Sequence, residues 1–403
     1  MNRERIEREL RRHPVPGERE AADRSWDVVR AALAERERSP SRAVARLPLR
    51  LALAVAALGA LTLALALTPA GATVREWVRD AVGGGDGGPA RPALSHVPSG
   101  GRLLVDSPSG QWVVGEDGAR RFLGEYGSST WSPSGVYVAV AREDQLVAVE
   151  PDGDLRWSIS APGRVADQVW APGCCRIAYR SGRSLRLIDG AGEGDRELSE
   201  RVAPVAPAWM PVPYADESRN VLAYADPGGQ VVALDVDTGV ELTSIATHGP
   251  LISLEWLDRN RILAVERDGL EILRIDDPSI RKLPTPGGGR IDGAAVSRGS
   301  DRIAILTRSG ARESARSSLV LIGSDSLGGG GKRVFSGSGH YEGPTFSPDG
   351  SRILLGWRET DQWLFISPDP SVDPIAVGDI ASQFDPGSRG GSRLPRIKGW
   401  CCG

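Results

Sequence analysis

The chain of 403 residues has few residues of the types that build catalytic and metal sites. Its four histidines are His13, His96, His248 and His340, and no two of them have the spacing of a metal-binding pair. No serine lies in the Gly-x-Ser-x-Gly setting of the α/β-hydrolase nucleophile elbow. We therefore predict no catalytic, cofactor-binding or metal-ligating residue, no cofactor, and a protein that is not an enzyme.

Cysteine is equally scarce and occurs as two adjacent pairs, Cys174-Cys175 and Cys401-Cys402. Zinc ligands are usually separated by about two to four residues, so these pairs do not indicate a metal site. Outside the cytoplasm, cysteines are expected to form disulfides. Three arrangements stay open: a disulfide between the two pairs, a bridge within each pair, and free thiols.

Charge is nearly balanced, with a net charge of −3, which gives no case for nucleic-acid binding. Only three of the 49 basic residues are lysines: Lys282, Lys332 and Lys398. The acidic segments Asp152–Asp154 and Asp235–Gly239 resemble calcium ligands, but each has too few oxygen donors for a dedicated loop. Hairpin turns explain both segments.

One long run without charge covers residues 51–68, and we predict a transmembrane helix over residues 47–69. The alternatives are a buried core helix and a cleaved signal peptide ending at Ala70-Gly71-Ala72. About fifty residues precede the run, which is too long a leader for a signal peptide. Arg42, Arg46 and Arg50 lie just before the span, so we expect the N-terminus in the cytoplasm and the rest of the chain outside.

The flanking segments are polar. Residues 1–46 form a predicted cytoplasmic helical tail, in which Ala22, Trp26, Val29 and Leu33 make one narrow apolar stripe. This stripe indicates either a half-ordered helix, lying on the membrane or folded back on the chain, or a docking helix for a cytoplasmic partner or a second copy. Residues 70–100 are predicted to be a juxtamembrane segment and a Gly/Pro-rich linker.

A phrase that ends in a turn recurs along residues 101–403. Its copies begin at an aromatic residue, as in Trp131–Gly135 (Trp-Ser-Pro-Ser-Gly) and Phe346–Gly350 (Phe-Ser-Pro-Asp-Gly), and a short apolar strand follows each. The aromatic residues are mostly about forty positions apart, a period typical of β-propellers. We predict an all-β propeller with seven blades as the favoured number and six or eight as alternatives.

Six blades of four strands can be assigned directly. They cover Tyr126–Gly163, Val165–Arg201, Val205–Ala246, Leu251–Leu283, Ile291–Phe335 and Tyr341–Phe384. Arg102–Gly124 lacks a first strand, whereas Leu394–Trp400 looks like a first strand alone. We expect these two fragments to form a seventh blade that closes the ring, and we expect the repeated tryptophans to lie in the core between blades.

The repeated phrase resembles the WD-like repeats of TolB-type propellers, with Phe346–Leu354 as the closest copy. Val231–Gly239 is similar to a strand and turn of quinoprotein-like propellers. The layout also resembles single-span envelope proteins of actinobacteria. The resemblance implies the architecture from Arg102 onward. It does not imply the envelope-import role of TolB-type proteins, which are soluble and have a different N-terminal domain.

The function expected from these features is that of a single-pass membrane protein with an extracytoplasmic propeller, acting as a binding or scaffolding module for a protein or envelope ligand. One alternative is a signalling protein whose tail around Trp26 binds a cytoplasmic regulator such as a sigma factor. Another is an envelope hydrolase or lactonase with its site at a channel mouth, built from residues of several blades. Sequence spacing does not exclude such a site.

Overall fold

The computed structural model describes residues 93–173, 175–211, 220–297, 301–310, 315–324, 331–385 and 393–402. They form seven four-stranded antiparallel sheets, which are the blades of a β-propeller. The prediction of seven blades is confirmed. The predicted tail and membrane span lie outside the described residues, and no helix within them is long and apolar enough to cross a membrane.

The strands of each blade are given from the innermost to the outermost, following the pairing order of each sheet. Blade 1 contains β28 (Arg396–Cys401), β1 (Arg102–Ser107), β2 (Gly110–Val114) and β3 (Arg120–Gly124). Blade 2 contains β4 (Ser128–Trp131), β5 (Val138–Arg142), β6 (Gln145–Val149) and β7 (Leu155–Ser160). Blade 3 contains β8 (Val165–Trp170), β9 (Arg176–Ser181), β10 (Ser184–Asp189) and β11 (Arg196–Ser199).

The remaining blades follow the same order. Blade 4 contains β12 (Ala208–Trp209), β13 (Val221–Ala225), β14 (Gln230–Asp235) and β15 (Glu241–Ala246). Blade 5 contains β16 (Leu251–Trp256), β17 (Arg261–Glu266), β18 (Leu270–Arg274) and β19 (Ser279–Leu283). Blade 6 contains β20 (Arg290–Val296), β21 (Arg302–Ser309), β22 (Arg316–Gly323) and β23 (Lys332–Ser338). Blade 7 contains β24 (Tyr341–Phe346), β25 (Ile353–Trp357), β26 (Gln362–Ile366) and β27 (Ile375–Val377).

Two faces of the ring follow from this antiparallel order. The inner strands begin on one face, here called the upper face, together with the turns between second and third strands. They end on the lower face, where the Ser-Pro-x-Gly turns lie. Ser132 and Ser347 fix two of these turns: their hydroxyls accept the backbone N–H of Tyr137 at 3.0 Å and of Arg352 at 2.9 Å. The repeated phrase is therefore a turn with a defined hydrogen bond.

The core is divided among the interfaces between blades. Seven clusters of buried apolar side chains are found in the described residues, each joining two neighbouring blades. The strand-closing residues Trp131, Trp170, Trp209, Trp256 and Phe346 are all buried in them. This confirms that the repeated aromatic residues belong to the core.

Two of these tryptophans also bind the neighbouring blade. Trp209 Nε1 donates to the carbonyl of Val169 at 3.2 Å, and Trp256 Nε1 donates to that of Ala208 at 2.8 Å. Each acceptor directly precedes the strand-closing tryptophan of the previous blade. The repeat therefore sets both the packing and a hydrogen bond between blades.

Replacing Trp256 by Phe should lower the free energy of unfolding more than replacing Trp170 by Phe. Both side chains are buried and both replacements remove similar volume, but Trp170 Nε1 has no hydrogen-bond partner among the described residues. Loss of the Trp256 bond leaves the Ala208 carbonyl without that donor and costs about 1 kcal/mol more. Denaturant unfolding of both variants measures the difference, and equal losses would contradict a stabilising role for the hydrogen bond.

The ring is closed by the two ends of the described chain, as predicted. Strand β28 pairs antiparallel with β1, from Arg102 opposite Cys401 to Asp106 opposite Arg396. The observed strand is Arg396–Cys401, so it begins later and ends one residue further than the predicted Leu394–Trp400. Leu394 is buried just before the strand.

The cysteines of the described residues are oxidised. Cys401 and Cys402 form a disulfide within their pair, and Cys175 is also disulfide-bonded. The expectations of free thiols and of a bridge between the pairs are therefore wrong for Cys401 and Cys402. Each of these two sulfurs is bonded to the other, so neither is available to the other pair.

Two segments differ from the sequence-based assignment. The end of the last predicted blade, Ile380–Phe384, is a short helix (α1), and its Ile380 and Phe384 pack in the cluster between blades 7 and 1. Residues 93–100, assigned to the linker, also contribute to this cluster through Leu94 and Val97. Residues 93–100 were assigned to the linker because the residues before them are rich in glycine and proline.

Candidate functional site

A cavity of about 500 Å³ lies on the upper face where the inner strands of blades 6, 7 and 1 begin. We call it the channel-mouth cavity. Its cationic lining residues come from four consecutive blades: Arg267, Arg308, Arg358, Arg396 and Lys398. Its other titratable lining residues are Asp292, His340, Tyr341 and Glu342. Its size is in the range of small-molecule sites.

Asp292 is held in place by Arg308 of the neighbouring strand. Arg308 Nε donates to Asp292 Oδ2 at 2.6 Å and Nη2 donates to Oδ1 at 3.0 Å. Such two-pronged pairs fix both side chains. Hydrogen bonding to Asp292 raises the pKa of Arg308. This guanidinium therefore stays charged at the mouth of the channel.

Glu342 lies between two arginines from different blades. Arg396 Nε is 3.1 Å from its Oε2, and Arg358 Nε is 3.6 Å from its Oε1. Arg396 belongs to the closing strand, so this contact also ties blade 1 to blade 7. Two guanidinium groups thus share one carboxylate. Each arginine has five N–H donors, so both keep donors for other acceptors.

His340 and Tyr341 form the wall of the cavity next to blade 7. His340 Nδ1 lies 2.5 Å from Glu359 Oε1, and the His340 backbone N–H also donates to that carboxylate. Burial, with a further contribution from the negative charge of Glu359, raises the pKa of Tyr341. Tyr341 is therefore a neutral, packed part of the wall.

Local backbone irregularities place several of these side chains. The pairing register shifts at Asp292 in β20, at Gly343-Pro344 in β24 and at Lys398 in β28. These shifts are β-bulges, which redirect side chains and are common at barrel rims and beside functional sites. Asp292 and Lys398 are the extra residues of their bulges, and both line the cavity.

This site was not predicted from the sequence. Asp292 and Glu342 each lie four residues before the strand-closing position, at Val296 and Phe346. An arginine near the end of the second strand faces them in blades 6 and 7. Blade 3 has a similar pair, with the acid three residues before Trp170: Arg180 Nε donates to Asp167 Oδ2 at 2.8 Å. This inner-strand acid and second-strand arginine are the signal from which the pairs were predictable.

A larger depression of about 900 Å³ lies beside blade 1. Its walls include Trp112, Phe122 and Phe384, and their rings contact one another, with centroids 4.9 Å apart for Trp112–Phe122 and 5.7 Å for Trp112–Phe384. These mutual contacts are those of a satellite core under α1. The channel-mouth cavity is the stronger candidate, since charged groups from several blades converge there.

The acidic turns behave largely as the sequence predicts. Asp235 Oδ1 accepts the backbone N–H groups of Asp237 and Thr238, so this segment is a hydrogen-bonded hairpin turn. In the other turn, carboxylate oxygens of Glu150, Asp152 and Asp154 lie within 4.8 Å of one another. Glu150 is paired with Arg156. An exposed acidic turn of this kind carries no further assignment.

The remaining histidines of the described part of the chain lie elsewhere. His248 Nδ1 is 2.6 Å from Oε1 of the buried Glu271 at the edge of blade 5, and His96 is on the surface near Ser95. No model of a protein family matches this chain, and no curated protein matches it.

Proposed function

We propose that this chain is a single-pass membrane protein whose propeller lies outside the cytoplasm and binds a protein or envelope ligand without catalysing a reaction. The observation that carries the binding role is the channel-mouth cavity, whose charged groups come from four consecutive blades. Propellers commonly bind where loops of several blades meet, although the fold alone does not define a function. The apolar run at residues 51–68 and the arginines before it support the anchored arrangement.

A binding role fits the carboxylates of the cavity better than an acid–base role. Asp292 accepts two hydrogen bonds from Arg308, and Glu342 is shared by Arg358 and Arg396. Carboxylates engaged in this way fix the orientation of arginines. The second candidate, an envelope hydrolase, draws on the same observation, because two carboxylates and His340 line one cavity. As part of this proposal, the propeller is of the TolB type, a likeness that rests on the repeated phrase alone.

The orientation is tested by adding protease to intact spheroplasts that carry the full-length chain. We expect the propeller to be digested or released while residues 1–46 stay intact, since the arginines before the span are retained in the cytoplasm. Lysed spheroplasts, in which both segments are accessible, are the control. Protection of the propeller in intact spheroplasts would contradict this orientation, because it would place the propeller in the cytoplasm.

The binding face is tested with a photo-crosslinking amino acid placed at Lys398 or, as a matched control, at Lys332. Both are exposed lysines, but Lys398 lines the channel-mouth cavity and Lys332 begins the outer strand β23 on the lower face. We expect a discrete crosslinked species in cells from position 398 only. Equal yields from both positions, or none from position 398, would contradict binding on the upper face.

A further inference from the structure

The channel-mouth cavity carries a local charge opposite to that of the whole protein. Five cationic side chains and two carboxylates line it, an excess of three positive charges, whereas the full chain has a net charge of −3. Clefts lined mainly by one sign of charge concentrate ligands of the opposite sign. We propose that this cavity binds a phosphate group carried by a soluble ester or by a lipid headgroup. This inference rests on the proposed function, since it names the ligand of the same site.

Two of the cations are not neutralised by the protein. Arg267 and Lys398 are exposed, and neither forms an ion pair or side-chain hydrogen bond with another described residue. The other three arginines form ion pairs with Asp292 and Glu342, and the charge of Glu359 also acts on Arg308. A ligand that carries two or three negative charges therefore offsets the excess without displacing an existing pair.

Irregular features of the inner strands lie beside these charged groups. Lys398 is the extra residue of the bulge in β28, so the closing strand gives up regular pairing where Lys398 enters the cavity lining. Gly293 of β20 lies directly against the Gly343 carbonyl of β24, and a Cβ atom at Gly293 would overlap that oxygen. The glycine thus permits a close approach of two inner strands beside the cavity.

The directions of the donors favour phosphate over a planar carboxylate. The cations come from blades 5, 6, 7 and 1, so they approach the cavity from different sides. A phosphate monoester carries about −1.5 to −2 charges at neutral pH and three acceptor oxygens that point in different directions. Arginine forks and a lysine are the usual protein partners of such a group.

The three lysines of the chain allow a direct test with the full-length protein purified in detergent. Lysines are acetylated with a limiting amount of an amine-reactive reagent and quantified by mass spectrometry, with and without pyrophosphate or short-chain phosphatidic acid, a lipid phosphate monoester. We expect the ligand to protect Lys398, while Lys282 and Lys332 react equally in both samples. Short-chain phosphatidylcholine, which has no net charge, is the control lipid. Protection by pyrophosphate alone identifies a soluble ester as the source, and protection by phosphatidic acid identifies a lipid headgroup.

Variants give the second measurement. By calorimetry, Lys398→Ala should weaken binding of the protecting ligand about tenfold, the loss of one charge-assisted hydrogen bond. Lys398→Arg should retain binding, and Lys332→Ala should leave it unchanged. If neither ligand protects Lys398 and neither binds, the phosphate assignment is overturned. In that case crosslinking from position 398 separates two outcomes. If the crosslink is still formed, the cavity binds a ligand of another class and the proposed binding function stands. If no crosslink is formed, both the phosphate ligand and the proposed binding function are contradicted.

Discussion

Removal of residues 394–403 should lower the melting temperature of the full-length chain by about 10 °C or more. Strand β28 pairs with β1 over five positions, and no other segment of the described chain supplies the inner strand of blade 1. Without it, β1 becomes an unpaired edge, and the cluster between blades 7 and 1 loses Leu394 and Trp400. Thermal unfolding followed by circular dichroism measures the effect.

The Trp400 side chain makes several of the contacts that close the ring. It is buried, its ring packs edge-on against Phe365 with centroids 5.6 Å apart, and its Nε1 donates to the Gly100 carbonyl at 2.9 Å. Trp400→Ala should therefore lower the free energy of unfolding by about 3–5 kcal/mol. Trp157→Ala is the control, because Trp157 is only partly buried on the outer strand β7. A truncated chain that melts within a couple of degrees of the intact one would show that closure does not depend on β28.

The blades were predictable because one physical unit repeats. Each inner strand ends on a large buried side chain and a tight turn, so both the burial and the turn chemistry recur about every forty residues. Blade 6 has neither the aromatic residue nor the proline at Val296-Ser297, yet its strands follow from the continuous apolar runs Ile303–Leu306 in β21 and Leu319–Ile322 in β22. The closure was predictable because one fragment lacks the strand that the other supplies.

The channel-mouth cavity was not predictable in the same way. Arg267, Asp292, Glu342 and Lys398 lie far apart in the chain, and their meeting depends on how the ring places blades 5 to 1. Bulges decide which side chain of an inner strand enters the cavity, and a bulge shifts a strict alternation by one residue. The alternation of residues in the sequence therefore does not show whether Lys398 lines the cavity or faces away from it.

Gly135→Val should be among the most damaging substitutions in the turns of the propeller, because Gly135 is buried. Gly135 ends the turn after β4 with a φ of 65°, a left-handed conformation that costs a residue with a Cβ atom roughly 1–2 kcal/mol. A Cβ atom there would also overlap the Sγ atoms of Cys401 and Cys402 and the guanidinium of Arg102. Arg102 Nη2 donates to the Gly135 carbonyl at 2.7 Å, so the turn, β1 and the C-terminal disulfide form one contact.

The two contributions to this effect can be separated. Gly239 has a φ of 73° and no atom within 4 Å of its Cβ position, so Gly239→Val carries the backbone cost alone. We expect Gly135→Val to lower the free energy of unfolding by about 3–5 kcal/mol, which adds overpacking to that cost. In a Cys401→Ala, Cys402→Ala background, the sulfur atoms are gone and only the flexible end of Arg102 remains in the way. The cost of Gly135→Val should then fall toward that of Gly239→Val, as measured by denaturant unfolding in a double-mutant cycle. An unchanged cost would mean that the turn alone, and not its contact with the closing strand, requires glycine.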